Sequence, residues 1–298
     1  MGILFDSFAE WGKEARENQK PLWECVLDYE IAQKGSRRGQ IFERLAQTYA
    51  VMKDAVATGL SQDMRSRSGM IDNGGKKVRD SKTMVLSPEF TRLIANTLAA
   101  KELNSCMGRV VAAPTAGASG IMPGVLTTLQ EIHGIPNDKI YEAILVGAGI
   151  ALIIAERASI SGAVGGCQAE TGTAAAMGAG AIVHCMGGTD EQVFTAVAIT
   201  IMNMLGLVCD PVAGLVEVPC VKRNASASVI AFASAQIALA GDDAVIPVDE
   251  VIDAMGEIGH SLESKYKETA QGGLAATPSG RKIAEKILTR NQDVIEES

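Results

Sequence analysis

An all-α fold is the expectation from this sequence, on three grounds. Apolar residues recur at helical spacing, as in Ile41, Leu45, Ala46, Tyr49 and Met52, with charges between them. Alternating strand patterns are almost absent, and Val216-Glu217-Val218 is the only short candidate. The chain is 47% hydrophobic but only 4% aromatic, so its core must be built from Ala, Val, Ile, Leu and Met. Small side chains of this kind let helices approach closely.

In chain order, residues 1–60 read as amphipathic helices. Ser61–Thr83 is polar, Gly-containing and rich in Lys and Arg, and reads as an ordered surface loop. Helices are expected at about 88–106 and 121–133. From Ala143 to Gly241 there are nine charged side chains, under half the chain-wide share of 21%, so this stretch is the interior. Its Gly and Asp/Pro punctuation divides it into helices at about 138–157, 169–186, 190–207 and 224–240. Thr189-Asp190-Glu191-Gln192 supplies an N-cap and early acids for the third of these. Two more helices are expected at about 248–268 and 278–290. The result is a single Ala/Gly-rich domain over residues 1–298, with central buried helices wrapped by amphipathic flanking ones. No internal repeat of fixed period is present.

Composition excludes several functions. A net charge of −8 argues against a nucleic-acid partner, whose phosphates demand a basic face. Six cysteines in 298 residues do not make a secreted disulfide framework, which points to a reducing, cytoplasmic setting. Met1-Gly2-Ile3-Leu4-Phe5-Asp6 has neither the charge nor the apolar core of a signal peptide, and Asp6 stands where a myristoylation motif wants Ser or Thr. The apolar runs Ala143–Ala155 and Val193–Val208 are shorter than a membrane span of about 20 residues.

Three cysteines stand out. Cys167 follows Gly165-Gly166, Cys209 precedes Asp210-Pro211, and Cys220 follows Val218-Pro219. Thiolates on irregular backbone can meet at one metal site, and three of them leave a metal position open for a substrate. Spacing alone is a weak signal, because there is no C-x-x-C pair and 42 positions separate the first two. Read without further context, they are equally three small buried hydrophobes. Cys25, Cys106 and Cys185 lie on or near ends of plain helical sequence and keep that bland reading.

The segments Cys167-Gln168-Ala169-Glu170-Thr171-Gly172 and Cys209-Asp210-Pro211-Val212-Ala213-Gly214-Leu215-Val216-Glu217-Val218-Pro219-Cys220 resemble the iron–sulfur L-serine dehydratases, in particular the α chain of the two-subunit bacterial form. The likeness runs from about 68 to 274. It includes Ala113-Pro114-Thr115-Ala116-Gly117-Ala118-Ser119-Gly120-Ile121-Met122-Pro123 and Lys265-Tyr266-Lys267-Glu268-Thr269-Ala270-Gln271-Gly272-Gly273-Leu274. The resemblance implies a lyase of amino-acid degradation and gluconeogenesis that turns L-serine into pyruvate and ammonia. It implies a [4Fe–4S] cluster on Cys167, Cys209 and Cys220, and a β subunit giving an αβ heterodimer or larger assembly.

The chemistry explains the cofactor. The α-proton of a free amino acid is not acidic and hydroxide leaves poorly, so a Lewis acid on the hydroxyl addresses the second problem and eases the first. Glu170, three residues after Cys167, shares its helical face and is a candidate catalytic or ammonium-binding group; an ion pair with Lys222 or Arg223 is the alternative. Thr115, Ala116, Gly117, Ser119 and Gly120 form a loop whose backbone N–H groups suit the substrate carboxylate, although an ordinary helix connector fits too. Asp210 reads as a turn-former. None of His133, His184 and His260 stands out as the general base. The resemblance places a Ser-Ser-His-Thr motif in the β region, and this chain has none. Ala116 stands where many relatives have Asn, Ala213 where Gly is common, and Ala163-Val164 where the sequence is usually more acidic.

Two other functions compete. A pyridoxal-phosphate lyase would need a Schiff-base lysine, and the central stretch offers only Lys222. An iron–sulfur sensor or electron carrier would show a partner-reading module or a fourth ligand.

Overall fold

The computed structural model describes residues 5–83 and 85–296, with side chains as far as Thr289. Met1–Leu4, on which the absence of a signal peptide partly rests, lies outside them. Among the described residues the protein is helical and has no strand, as the sequence predicts. Thirteen α-helices follow in order: α1 Phe8–Glu17, α2 Leu22–Lys34, α3 Arg38–Ser61, α4 Gly74–Arg79, α5 Pro88–Ser105, α6 Ile121–His133, α7 Asn137–Arg157, α8 Gly162–Gly165, α9 Thr173–Cys185, α10 Asp190–Met202, α11 Cys220–Leu239, α12 Val248–Ser261 and α13 Pro278–Glu296.

Helix α9 is the axis of the molecule. Its Thr-Ala-Ala-Ala-Met-Gly-Ala-Gly-Ala run is buried throughout, and α6, α7, α10 and α11 pack around it. Such approach depends on absent side chains. A Cβ on Gly180 would stand 2.3 Å from Ile150 Cδ1 of α7, and one on Gly59 of α3 would stand 2.2 Å from the Ala99 carbonyl oxygen of α5. Aromatic side chains of the first helix are buried against α10, where Phe5 stacks on Trp11 and Phe8 meets Phe194 edge-on. Among the described residues no helix is long and apolar enough to cross a membrane.

Several boundaries differ from the sequence expectation: α9 begins at Thr173, after a π-helical turn, instead of about 169, and α13 runs to Glu296 instead of about 290. The segment 61–83 is not all loop, because α4 forms within it: the buried Glu102 carboxylate accepts from the Gly74 and Gly75 amides and caps that short helix. Helix α10 stops at Met202, after which the chain turns through Gly206 at φ 79°. Helix α11 starts at Cys220, four residues early, with Pro219 as its N-cap. Helix α12 ends at Ser261 because Leu262 is extended. Val216-Glu217-Val218 forms no strand; Glu217 is instead a buried acceptor for the hydroxyls of Ser66 and Ser68.

Candidate functional site

The three singled-out cysteines occupy three kinds of backbone, and all are buried. Cys167 sits between Gly166, at φ 77°, and a single π-helical turn, Gln168–Gly172, that leads into α9. Gly166 is needed there, since a Cβ would lie 2.9 Å from the Leu207 carbonyl oxygen. The Gln168 side chain fixes the turn by donating to the Met255 carbonyl and accepting from the Gly206 amide. Single π turns inside helices are frequent at functional sites.

Cys209 is held by its own backbone. Its N–H donates to the Tyr266 carbonyl and its C=O accepts from the Glu268 amide, so residues 266–268 run alongside it. Its neighbour Asp210, 3% exposed, forms an ion pair with Arg223 at 2.8 Å and accepts from the Leu274 amide. Cys220 opens α11. One turn on, Asn224 donates to the Cys220 carbonyl and to the Gly117 carbonyl, and accepts from the Gly120 amide. That one side chain stitches the Thr115–Gly120 loop to the Cys220 helix.

Glu170, half-buried, turns towards the same loop. It accepts a hydrogen bond from the Thr115 hydroxyl at 2.5 Å, and a Cβ on Gly117 would collide with its carboxylate. It makes no ion pair among the described residues; Arg223 is engaged by Asp210, and Lys222 lies beside Gly74 and Glu102. Ala116 is exposed, while Gly117, Ser119 and Gly120 are buried.

The thiols feel one another. Burial raises the Cys209 thiol most, and the charges of Cys167 and Cys220 raise it further. Cys220 is pushed up to about 12 by burial and by Cys167, against the pull of Lys101 and Arg223. Burial also lifts Cys167, opposed by its hydrogen bond with Thr171 and by Arg223. Cys25, Cys106 and Cys185 are raised by burial with no contribution from this trio.

Among the described residues no three His, Cys, Asp or Glu side chains close on one point tightly enough for a single metal ion. A polynuclear cluster asks for something different, one thiolate at each of several irons, so its ligands stand apart. Three buried, mutually interacting thiols on separate backbone segments fit that demand.

The histidines are accounted for elsewhere. His184 bonds Glu142 at 2.9 Å, with burial holding its pKa down; His133 ends α6; and the exposed His260 bonds the Gly256 carbonyl. Sequence reasoning missed Lys101, whose buried ammonium donates to the Ala116 carbonyl, and Asn224. A signal existed for the first: Thr97, Lys101 and Asn104 recur at helical spacing, with Asn96 beside them, among the apolar residues Leu93, Ile94, Leu98, Ala99 and Ala100 of α5.

Fold and site together define an all-helical protein with three buried thiols beside a glycine-rich loop. Residues 17–275 match the family model described as "Serine dehydratase alpha chain", and the chain belongs to that family. It is 41% identical to the "Probable L-serine dehydratase, alpha chain" of Bacillus subtilis (strain 168), over 96% of each chain. It is also 41% identical to the "L-serine dehydratase, alpha chain" of Peptoniphilus asaccharolyticus, over 90% of this chain and 92% of that one. The "L-serine dehydratase" of Streptomyces coelicolor (strain ATCC BAA-471 / A3(2) / M145) is 38% identical over 88% of this chain but only 58% of its own length.

Proposed function

We propose that this chain is the catalytic α subunit of an L-serine ammonia-lyase, converting L-serine to pyruvate and ammonia, with residues 1–298 acting as one catalytic domain. The observation that carries the reading is the meeting of Cys167, Cys209 and Cys220, buried and mutually perturbing, in a chain of this family. These three thiols would hold a [4Fe–4S] cluster with one iron free of protein ligands. When bound, it supplies a Lewis acid for the substrate hydroxyl.

The chain's own residues do the rest. The thiols must surrender their protons on loading, so burial that raises their pKa values makes loading proton-releasing. Arg223 and Lys101 oppose that cost with positive charge. Thr115 holds Glu170 against the loop, where its carboxylate can orient the substrate ammonium. The buried loop excludes water from the reacting groups, and its amides suit an anion. A histidine for the α-proton comes from a β partner, as an αβ heterodimer or larger assembly in the cytoplasm. The chain's "alpha chain" relatives and the extra length of the Streptomyces relative support a second polypeptide.

The test is anaerobic co-purification with the presumed β chain followed by a pyruvate assay with L-serine. Pyruvate should form, activity should fall in air while helical circular dichroism persists, and ferrous iron with thiol should restore it. Full activity after complete removal of iron by a chelator overturns the reading.

A further inference from the structure

Lys101 of α5 is wholly buried. Its ammonium donates to Asn104 Oδ1 at 2.6 Å and to the Ala116 carbonyl oxygen at 3.2 Å, both uncharged acceptors. Among the described residues it makes no ion pair. An ammonium has three donors, and burying its charge without a counter-ion costs several kcal/mol. Cys220, Glu170 and Glu217 lie close enough to favour its charged form, yet burial still draws its pKa down to about 8. A lone interior cation of this kind calls for an anion.

A second, independent vacancy lies in the loop that Lys101 holds. Ser119 is fully buried, and its hydroxyl has no hydrogen-bond partner. A buried hydroxyl without a partner is costly, and native structures rarely keep one without use. Lys101 touches this loop twice, through the Ala116 carbonyl and through its stem: a Cβ on Gly120 would lie 2.8 Å from Lys101 Cβ. One turn further along α5, Ser105 lines a cleft of about 490 Å³ together with Arg67, Ser68 and Glu217; Lys101 and Ser119 lie behind that lining.

We propose that Lys101, together with the Ser119 hydroxyl, receives the carboxylate of the amino-acid substrate. A carboxylate brings the missing negative charge to the ammonium and an acceptor oxygen to the orphan hydroxyl. The assignment rests on the hydroxy-amino-acid reading above and adds to it a side chain that fixes which end of the substrate enters first. Lys101 then serves recognition, and Glu170, held against Thr115 and Gly117 of the same loop, is left for the ammonium end.

The test uses the iron-loaded complex with its partner chain, in wild-type, Lys101→Met and Ser119→Ala forms, with L-serine as substrate and L-serinamide, which replaces the carboxylate with an uncharged amide, as competitor. Losing a charge-assisted hydrogen bond weakens binding by about 10- to 100-fold. Lys101→Met should therefore raise KM for L-serine by about that factor, keep kcat within about threefold, and erase the preference for acid over amide. Because Lys101 also favours the Cys220 thiolate, iron content and visible absorbance are measured in each variant and KM is compared at matched iron loading. Ser119→Ala removes an unpartnered hydroxyl, so its thermal stability should hold or rise while KM increases about 3- to 10-fold. If Lys101→Met fails to fold, the Ser119 variant decides by the same acid-over-amide ratio. Unchanged KM with the acid preference retained overturns the proposal, as does a collapse of kcat at constant KM, which marks the lysine as a base. A wild-type complex that makes no pyruvate counts against the serine reading instead, and L-serine binding measured calorimetrically then still reports on Lys101.

Discussion

Around α9 the chain packs Ala and Gly against Val, Ile and Leu, with scarcely a polar atom in contact. At the seam between α5, the Thr115–Gly120 loop and the start of α11, it buries Lys101, Glu102, Asp210, Glu217 and Asn224 within a few turns of one another. The first region is held by close approach of small residues and by apolar burial. The second is held by directional bonds, each tying one remote segment to another: Asn224 to Gly117 and Gly120, Asp210 to Leu274, Glu217 to Ser66 and Ser68. Apart from the Thr173 hydroxyl at the start of α9, which is buried without a partner, the core needs nothing but its own side chains. The seam contains charge and hydroxyl that the chain does not fully satisfy, and that is where chemistry is expected.

The contrast can be broken at four points. Cys220→Ser should have the largest effect: no iron retained and no pyruvate formed, with the helical circular dichroism of wild type, whereas Cys25→Ser, Cys106→Ser and Cys185→Ser keep both. A full complement of iron in Cys220→Ser would separate the site from the thiols. Asp210→Ala removes the counter-ion of half-buried Arg223, which keeps only the Val208 carbonyl, and the acceptor of the Leu274 amide, and should lower the unfolding free energy by about 3 kcal/mol in a urea titration. Gly180→Ala tests the core by overpacking α9 against Ile150 of α7 and should cost about 2 kcal/mol by the same measurement, with KM for L-serine untouched. Ala213→Gly is the smallest change and of opposite sign. Ala213 sits at φ 55°, a left-handed conformation that disfavours a Cβ, so glycine should gain about 1 kcal/mol, read as a higher urea midpoint.

The two regions also differ in what their sequence discloses. Helix α6 lies where its pattern predicts, at 121–133, and α7 begins one residue early, because apolar periodicity and Gly or Pro boundaries report burial directly. The seam was legible only where local chemistry marks the chain, at the cysteines and the glycine-rich loop. The start of α11 at Cys220 was hidden because Pro219 reads as a breaker, although proline is also at home at a helix entrance. Lys101 was hidden because a lysine in a helix is ordinarily solvated, and its burial depends on a loop fifteen residues downstream. The contact of Glu170 with Thr115, rather than with Lys222 or Arg223, is likewise a tertiary fact that no spacing encodes.

Cys209 is gripped on both sides of its peptide by residues 266–268, which are synthesised well after it. The surroundings of Cys209 are therefore unfinished while the chain is still growing. A nascent chain carrying all three thiols but not yet Tyr266–Glu268 would present them without the backbone that fixes the middle one. Under the proposed cluster assignment, loading at Cys209 would follow synthesis of residues 266–268, leaving an interval when all three thiols are made and their frame is not.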